Sequence, residues 1–569
     1  MKQIGFKNFR KFDNFPTIEL GDVTYLVGQN NSGKSTMVKA AILVLENLRQ
    51  KNNIPFGESA YFSFVSPVHD LHVDTFERAI HKNKREYDHS IDFRERYLLD
   101  KEKRIHFTAS LEDFDFEITV APTDHAAFYY RRTMKNDRRA PIEYLLVKDN
   151  NLGVTLEIHP FVKKYILTIS GEYDDTSVSE RRMIDDFSER IAELKNIKDS
   201  RNDFAFQARV NSEIKLYDTK LKSLNKNKQN TEEEKLTFSA LQLTYTSDTE
   251  DMYSIAREVD ALANMARNDS ALKHSRIASR SLGLSESEKN QQGQYLSQLR
   301  RHSDKLTNMA RRLSSLLNTI DVMYIPAHLA SQEMVLNAHT KDIFAKEVDK
   351  YVHETMVFDR DEYIYRFIQE WMDTEHFNIG KGFRVDEKLP GYYTLTIDTF
   401  DAGPIPVGDM GMGTNQLMIL LLHVANEMGK VVKTHPRFVR HRFTESYSLA
   451  LVFIEEPEQN LHPNLQSKLA EFFYELATFR DFPLQFVVET HSEYLIRKAQ
   501  VVVCETGYKD QKDVDEHNPM KIYYFPSDSA PYDMGFKTSG RFKQVFDNGF
   551  FDVAANLNLI TLKKERGIK

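Results

Sequence analysis

The sequence predicts an α/β fold with a parallel sheet at its centre, and three short apolar runs support this prediction. Residues 23–27, 449–454 and 485–488 are each typical of a strand, and each is followed by glycine or polar residues. The run 449–454 is apolar throughout, as is typical of a strand buried on both faces of a parallel sheet. The segments that follow these runs are expected to supply the parts of a single site.

The first run leads into a glycine-rich loop with the spacing GxxxxGK[ST], which is the pattern of a P-loop. This loop, residues 28–36, precedes a predicted helix, so that the order is strand, loop, helix. Its two glycines let backbone N–H groups converge on a polyphosphate, and the helix adds the positive end of its dipole. Lys34 is predicted to reach the β- and γ-phosphates of ATP, while the Ser35 hydroxyl ligates Mg²⁺. The other predicted nucleotide contacts of the loop are Gly28, Asn30, Asn31, Ser32, Gly33 and Thr36.

Length and composition indicate a soluble globular protein of two or three structural units. The chain has 569 residues, of which 41% are hydrophobic and 28% charged, as in ordinary globular domains. The apolar stretch 417–425 falls far short of the ~20 residues that span a bilayer. Since the chain has a single cysteine, Cys504, and no room for a signal peptide before the first strand, we expect a cytoplasmic protein without membrane contact.

The net charge of −8 argues against binding of nucleic acid over the whole surface. Basic residues nevertheless cluster within 131–139 and 437–442. These clusters leave local contact with DNA open, and solvated loops are the alternative interpretation.

Changes in composition divide the chain into three segments. Residues 1–180 are expected to form the N-terminal half of an ATPase head, with the glycine loop and an antiparallel sheet that includes a hairpin around Glu112 and Asp113. Residues 181–320 lose nearly all glycine and proline and become helical in pattern. Residues 321–569 return to strand-rich sequence and are expected to form the C-terminal half of the head.

The middle segment is predicted to be an inserted helical arm that leaves the core and returns to it. Near its end, apolar residues recur at alternating spacings of three and four, which is typical of a coiled-coil seam. The stripe consists of Leu299, Leu306, Met309, Leu313, Leu316 and Ile320. A helical subdomain packed back on the core explains the same stripe and stays open as the alternative.

The run 449–454 delivers two carboxylates at its end, Glu455 and Glu456. In a chain with a phosphate-binding loop, this arrangement is typical of the acidic half of an ATPase site. Glu455 is the predicted holder of the Mg²⁺ shell, and its extra methylene relative to aspartate leaves room for an intervening water. Glu456 is the predicted catalytic base, which orients and activates the attacking water. His491, shortly after the run 485–488, is predicted to contact the γ-phosphate or that water.

A second glycine-rich loop, residues 408–416, opens the apolar helix predicted at 417–425. A glycine loop at a helix N-terminus is a second anion site. Because one nucleotide needs only one P-loop, the second loop is explained if it caps the γ-phosphate bound by another subunit. The predicted contacts in this loop are Gly411, Gly413, Thr414 and Gln416.

The order of these motifs resembles the ABC/SMC-type ATPase heads and, more narrowly, the OLD-like bacterial anti-phage-defence ATPases, which include the Septu ATPase. The match rests on residues 8–10, 28–36, 411–416, 454–463 and 490–496. The resemblance implies a homodimer or larger oligomer in which ATP lies between two heads, and it adds Arg10 to the nucleotide contacts. It further implies control of a separately encoded effector, expected to be a nuclease, in phage defence.

The sequence departs from this resemblance at several positions. The signature serine of transporter-type ATPases is absent, with Gly413 and Thr414 in its place, and Glu489 precedes Thr-His where a small residue is usual. No residue is assigned to the glutamine loop. The OLD-family nucleases need a strand-end glutamate and a DxD motif. Residues 513–515 (DVD) have the DxD form, but residues 509–512 before them are expected to be a polar loop and not a strand. No intrinsic nuclease site is therefore expected.

Two other functions compete with this interpretation. A DNA-repair or chromosome-associated clamp that closes around a duplex would use the same ATPase parts and would bind DNA in a salt-sensitive manner. The ATP-driving subunit of a transporter is disfavoured by the helical insertion and by the absent signature serine.

Overall fold

The computed structural model describes most of the two predicted halves of the head and a small part of the segment between them. The described residues are 1–49, 60–66, 71–82, 103–122, 138–160, 164–169, 241–246, 292–327, 333–340, 342–355, 364–434, 449–478, 484–547 and 551. Most of the predicted arm therefore lies outside the described residues.

The strands of the described chain belong to three sheets. They are β1 (Gln3–Phe9), β2 (Phe12–Glu19), β3 (Val23–Gly28), β4 (Tyr61–Ser63), β5 (Ile105–Leu111), β6 (Phe114–Val120), β7 (Arg139–Asp149), β8 (Val154–His159), β9 (Lys164–Ile169), β10 (Leu241–Thr246), β11 (Ile320–Ile325), β12 (Leu336–Asn337), β13 (Gly382–Leu389), β14 (Tyr392–Asp398), β15 (Pro404–Pro406), β16 (Leu449–Glu455), β17 (Leu484–Thr490), β18 (Met520–Phe525) and β19 (Tyr532–Asp533).

The described helices include one long helix that ends the predicted arm and several that cover the sheets. They are α1 (Lys34–Arg49), α2 (Phe76–Ala79), α3 (Gln292–Thr319), α4 (Ile343–Lys350), α5 (Ile364–Met372), α6 (Met412–Thr434), α7 (Pro463–Thr478), α8 (Glu493–Thr506) and α9 (Gln511–His517). A π-helical turn, Tyr351–Thr355, continues α4, and a 3-10 turn, Val407–Asp409, precedes α6.

The sheet that carries the P-loop has the order β11-β16-β17-β3-β18-β19. All neighbouring pairs from β11 to β18 are parallel, and β19 pairs antiparallel with β18. Strands β3 and β17 are buried along their whole length, and β16 is buried from Ala450 to Ile454, as predicted for the run 449–454. The three runs named first in the sequence are thus neighbouring strands, and their carboxyl ends lie at one edge of the sheet.

Both faces of this sheet are covered, which explains why its strands are apolar throughout. On one face, Leu26, Leu451 and Val487 join the core that contains α1 and the antiparallel sheet. On the other face, Tyr25 and Val452 join the core that contains α6, α7 and α8. Helix α1 is buried on nearly all sides because it lies between the two sheets.

The antiparallel sheet of nine strands has the order β10-β9-β8-β7-β6-β5-β1-β2, with β4 paired to β7. The predicted hairpin is present, since Leu111 of β5 faces Phe114 of β6 across the turn at Glu112 and Asp113. Glu112 has a φ of 50°, a left-handed conformation typical of tight turns. A small sheet formed by β12, β13, β14 and β15 packs beside α4 and α5.

A strand lies within the segment that was expected to be helical. Strand β10 pairs antiparallel with β9 along Leu241–Thr246 and extends the antiparallel sheet. Its sequence, LQLTYT, alternates apolar and polar residues, the period of a strand with one face against a core. The low glycine and proline content of the segment favours helix over its whole length, whereas this short alternation favours a strand locally. The bounds of the predicted arm, 181 and 320, stay predictions. The residues around 181 lie outside the described chain.

Helix α3 returns from the arm and packs on the antiparallel sheet. Four residues of its last turns, Leu306, Met309, Leu313 and Leu317, are buried in the same core as the sheet. In this half of the helix the apolar stripe therefore contacts the head itself, as in the alternative of a segment packed back on the core. Whether the earlier turns form a coiled coil stays a prediction.

A short helix replaces a predicted loop near the C-terminus. Residues 509–512 were expected to form a polar loop, but α9 begins at Gln511 and includes residues 513–515, and its N-cap Asp510 accepts from the backbone N–H of Asp513. The loop prediction was wrong from Gln511 onward, because an aspartate N-cap followed by residues without glycine or proline also starts a helix. The Asp513 carboxylate accepts from the backbone N–H of Lys509 at 2.9 Å.

An ion pair fastens α3 to the sheet. Arg312 Nη1 donates to both carboxylate oxygens of Asp149 at 2.7 Å, and its Nη2 donates to Asp113 at 2.8 Å. The guanidinium also lies over the ring of Phe114, 5.4 Å from its centroid. Asp149 is fully buried, and burial raises its pKa while the Arg312 charge and two backbone N–H groups lower it.

Replacing Arg312 with alanine is expected to destabilise the head by about 3 kcal/mol, because the Asp149 carboxylate would stay buried without its cation. Denaturant unfolding followed by circular dichroism measures the change. Arg311→Ala is the matched control, since Arg311 is exposed and bonds only to Asn308 in the described chain. Equal effects of the two variants would contradict the assigned role of the ion pair.

Candidate ATPase site

The P-loop joins β3 to α1 at the edge of the parallel sheet. Gly33 has a φ of 109°, and a Cβ at this position would lie 2.4 Å from the ring of Phe12. Gly28 is confined as well, because its Cβ would lie 2.5 Å from the carbonyl oxygen of Phe525. Both predicted glycines are therefore required by backbone conformation or close approach. Asn30 and Asn31 are exposed on the outer side of the loop.

The P-loop lysine is buried and already has polar partners. Lys34 Nζ donates to the carbonyl oxygens of Gly28 at 3.0 Å and Gln29 at 2.9 Å, and it lies 3.6 Å from Glu489 Oε1. Burial lowers the pKa of Lys34, and the carboxylates of Glu489 and Glu456 offset part of this effect. The ammonium is thus held at the mouth of the loop, where the sequence predicted contact with phosphate.

The turn between β1 and β2 lies against the P-loop. It contains Arg10, whose φ is 51° and whose backbone N–H donates to Ala79. The next residue, Lys11, donates from Nζ to the carbonyl oxygen of Asn31 at 2.7 Å. The fold therefore brings the predicted contact Arg10 into the neighbourhood of the loop, together with a second cation that the sequence analysis did not single out.

The two acids at the end of β16 have different backbone positions, since Glu455 still pairs within the sheet and Glu456 lies in the turn that follows. Glu455, the last residue of β16, pairs in register with Glu489 of β17. Glu456 follows with a φ of 48°, which turns the chain sharply out of the sheet, and its backbone N–H donates to the carbonyl oxygen of Glu489 at 2.8 Å. The carboxylate of Glu456 accepts a hydrogen bond from Gln459 Nε2.

His491 faces the predicted catalytic base. Its Nε2 lies 3.7 Å from Glu456 Oε1, and both side chains are half-buried. Burial lowers the pKa of His491, and the Lys34 charge lowers it further, while Glu456 raises it. The histidine is positioned by its backbone N–H, which donates to Glu458 Oε1 at 2.6 Å. This hydrogen bond links the segment after β16, which contains Glu458, to the end of β17. Burial raises the pKa of Glu458.

Glu489 is a site residue whose role the sequence analysis did not assign. It lies at the carboxyl end of β17 and is 5% exposed. Burial raises its pKa to about 7, against the lowering effect of Lys34 and with the added effect of Glu455. The signal that could have revealed it was a carboxylate that follows the apolar residues 486–488 and precedes the predicted site residue His491 by two positions.

The second glycine loop packs against the turn that carries Glu456. A Cβ on Gly413 would lie 2.6 Å from the carbonyl oxygen of Asn460 and 2.8 Å from Leu461. Gln416 is buried, and its Nε2 donates to the carbonyl oxygen of Glu456 at 3.1 Å. Thr414 is half-buried, while Gly411 is exposed and a Cβ there would meet nothing within 4 Å. Within one chain, this loop therefore supports the acidic turn and leaves its first glycine open.

The donor set fits the Mg²⁺-bound nucleotide that the P-loop implies. Ser32 Oγ, Glu455 Oε1 and Glu489 Oε2 are buried and have no hydrogen-bond partner among the described residues. Glu456, Glu489 and His491 each offer an atom within 4.8 Å of the others. Hydroxyl and carboxylate oxygens are the ligands that Mg²⁺ prefers.

Thr36 is buried at the start of α1 and donates its N–H to the carbonyl oxygen of Gly33 at 3.1 Å.

The parallel sheet, the P-loop and the paired acids are the parts of a P-loop ATPase fold, which confirms the predicted α/β class. A family model described as an AAA ATPase domain matches residues 1–496, so the chain belongs to that family. A search of curated proteins gave no match.

Among solved structures, the chain is similar to SMC head domains at low identity. The Smc head domain of Pyrococcus furiosus, with an extended coiled coil and bound to the C-terminal domain of ScpA, is 13% identical with a TM-score of 0.33, covering 98% of this chain and 99% of that one. The Smc head domain of Pyrococcus yayanosii, with a coiled coil and joint, is 12% identical with a TM-score of 0.32, covering 95% and 97%. The SMC head domain of Thermotoga maritima is 10% identical with a TM-score of 0.28, covering 94% and 98%.

No helix in the described part of the chain has the length and apolar character needed to cross a membrane.

The glycines of the second loop provide a matched test of packing. Gly413→Ala is expected to lower the free energy of unfolding by about 2 kcal/mol, because the backbone of Asn460 must move to accept the methyl group. Gly411→Ala is expected to stay within about 0.5 kcal/mol of the wild type, since its Cβ meets open space. Chemical denaturation of both variants measures the difference. Equal stability would show that the loop does not pack on the turn as described.

Proposed function

We propose that this chain hydrolyses ATP between two heads, with the P-loop of one copy facing residues 411–416 of a second copy. The observation that supports hydrolysis is the convergence of Lys34, Glu456 and His491 at the carboxyl ends of adjacent parallel strands. In this proposal Lys34 and Ser35 hold the β- and γ-phosphates and Mg²⁺. The family supports ATPase chemistry, and the sandwich of two copies is our own inference.

Each side chain has a distinct part in the proposed reaction. Glu456 acts as general base on the attacking water, and the hydrogen bond from Gln459 fixes its carboxylate. His491 stays neutral near pH 7, because burial and Lys34 lower its pKa, so it can accept or donate a hydrogen bond at the phosphate. Mg²⁺ supplies charge neutralisation at the phosphates when it is bound, and Ser35 and Glu455 are the residues that would hold it.

Surface features around the second glycine loop support contact with another copy. Met412, next to the open Gly411, is 41% exposed, and Met334 and Val335 are 47% and 44% exposed. Met334 lies beside Gly408, since a Cβ on that glycine would be 3.0 Å from its sulfur. Exposed large apolar residues grouped around a ligand-binding loop favour an interface that is buried in another state.

Glu456→Gln is expected to lower the ATPase rate by at least about a hundredfold, because general-base catalysis contributes that much or more. ATP binding should persist, and the molar mass measured by light scattering should double when Mg-ATP is added. Lys34→Ala, which removes the phosphate contact, should stay at its starting mass under the same conditions. Survival of hydrolysis in Glu456→Gln would show that another residue is the base.

A second substitution tests the interface. Met412→Asp in the Glu456→Gln background places a charge on the proposed contact surface, and the ATP-dependent increase in mass should disappear while ATP binding remains. An unchanged increase would mean that the heads assemble through another surface.

The biological role that we propose is control of a separately encoded effector, expected to be a nuclease, in bacterial anti-phage defence. This narrower proposal is supported by the resemblance of residues 454–463 and 490–496 to OLD-like and Septu ATPases. A protein with this role would act in the cytoplasm.

Cells that carry this gene with its native neighbours should lose protection in plaque assays when Glu456 is replaced by glutamine, because the ATP cycle would stop. The same substitution in a gene lacking its neighbours should change nothing. ATP-stimulated, salt-sensitive DNA binding by the purified chain alone would instead support the DNA clamp considered above.

A further inference from the structure

The direction of Glu489 follows from the alternation of side chains along β17. Val487 belongs to the core on the α1 side of the sheet, whereas Phe486 and Val488 belong to the core on the opposite side. Because residues two apart share a face, Glu489 lies on the α1 side. Helix α1 begins with the P-loop residues Lys34 and Ser35, so the carboxylate lies beneath the phosphate-binding loop.

Two of the P-loop side chains act on this carboxylate. Lys34 Nζ lies 3.6 Å from Glu489 Oε1, and the Ser35 side chain lowers the pKa of Glu489. Both of these side chains are predicted ligands of Mg-ATP. Glu489 is therefore the counter-ion of Lys34.

The same carboxylate also has an oxygen available to a further ligand. Glu489 Oε2 is buried and has no hydrogen-bond partner among the described residues, and the residue as a whole is 5% exposed. Glu455 lies beside it in register on β16, with Glu456 and His491 close by. A buried carboxylate oxygen without a partner is costly, and a cation bound there would remove the cost.

We propose that Glu489 joins Ser35 and Glu455 in the Mg²⁺ shell and thereby makes the site select Mg-ATP over metal-free ATP. This inference rests on the proposed ATPase function and assigns a role to a residue outside the P-loop and the acid pair Glu455 and Glu456. When ATP binds, Lys34 turns from Glu489 to the phosphates. The carboxylate then needs a new cation, and only the metal-bound nucleotide supplies one. ATP without metal would place phosphate charge near an unpaired buried carboxylate.

The test is the affinity for ATP with and without Mg²⁺, measured for Glu489→Gln by calorimetry with a chelator or with Mg²⁺ in the cell. Glutamine keeps the size of the side chain and removes its charge. Metal-free ATP is expected to bind at least about tenfold more tightly to this variant, since a like charge a few ångströms away is lost. The gain in affinity that Mg²⁺ provides should shrink by a similar factor.

Glu493→Gln is the matched control, because Glu493 is only a few residues away, its side chain is 38% exposed, and it pairs with Arg497. Its metal dependence should equal that of the wild type. A second variant, Glu489→Asp, keeps the charge and should retain most of the preference for Mg-ATP. Thermal melts of all three variants establish that they are folded under the binding conditions.

A spectroscopic measurement observes the metal shell directly. Mn²⁺ bound with ATP gives an electron paramagnetic resonance signal, and Glu489→Gln should weaken Mn²⁺ binding to the ATP complex by about tenfold relative to Glu493→Gln, as expected for loss of a charged ligand. Equal metal dependence and equal Mn²⁺ binding in the two variants would overturn the inference. If the wild-type chain bound no ATP under any condition, the proposed function itself would fail, which is a different result.

Discussion

The site depends on the parallel pairing of β17 with β3 on one side and with β16 on the other. In this register Glu489 is aligned with Leu26 of the P-loop strand and with Glu455 of the acidic strand. Parallel strands point their carboxyl ends to the same edge of a sheet. Segments that are several hundred residues apart in the sequence therefore meet within a few ångströms, and a one-residue shift in either pairing would turn Glu489 or Glu455 to the opposite face.

This arrangement concentrates charge at an edge that is mostly buried. Lys34 and Glu489 are almost fully covered, and each would be costly without a partner. The structure meets that cost in part with carbonyl oxygens of the loop and with the Lys34–Glu489 pair. What remains is a small set of buried oxygen atoms without hydrogen bonds. Such a site is prepared for a ligand that brings both phosphate and a divalent cation.

The second glycine loop packs within its own chain at one end and is exposed to solvent at the other. Gly413 and Gln416 pack inside the same chain on the turn that carries Glu456, whereas Gly411 and Met412 are exposed. In the proposed assembly, a contact made at the exposed end would be transmitted through Gln416 to the carbonyl group of Glu456, the proposed base. This short path offers a physical way for assembly of two heads to affect hydrolysis within each.

Much of the site was determined by the sequence alone, because its motifs are local. The spacing of Gly28, Gly33, Lys34 and Ser35 requires only one loop and one helix, and the apolar run before Glu455 already indicated a strand covered on both faces. The hairpin at Glu112 was equally local. Strand β10 was missed because the low glycine and proline content of its segment suggested helix and outweighed a six-residue alternation. Helix α9 was missed because its residues are mostly polar and suggested a loop.

Only the tertiary structure decided what depends on long-range register. Glu489 was visible in the sequence as an unusual residue, but its place beneath Lys34 and Ser35 follows from the pairing of β17 with β3 and from the packing of α1 on one face. The inward packing of Gly413 and Gln416 likewise depends on the path of α6 past the turn at Asn460. Local patterns fix the type and order of elements, whereas side chains from distant segments meet only once the sheet order and register are set.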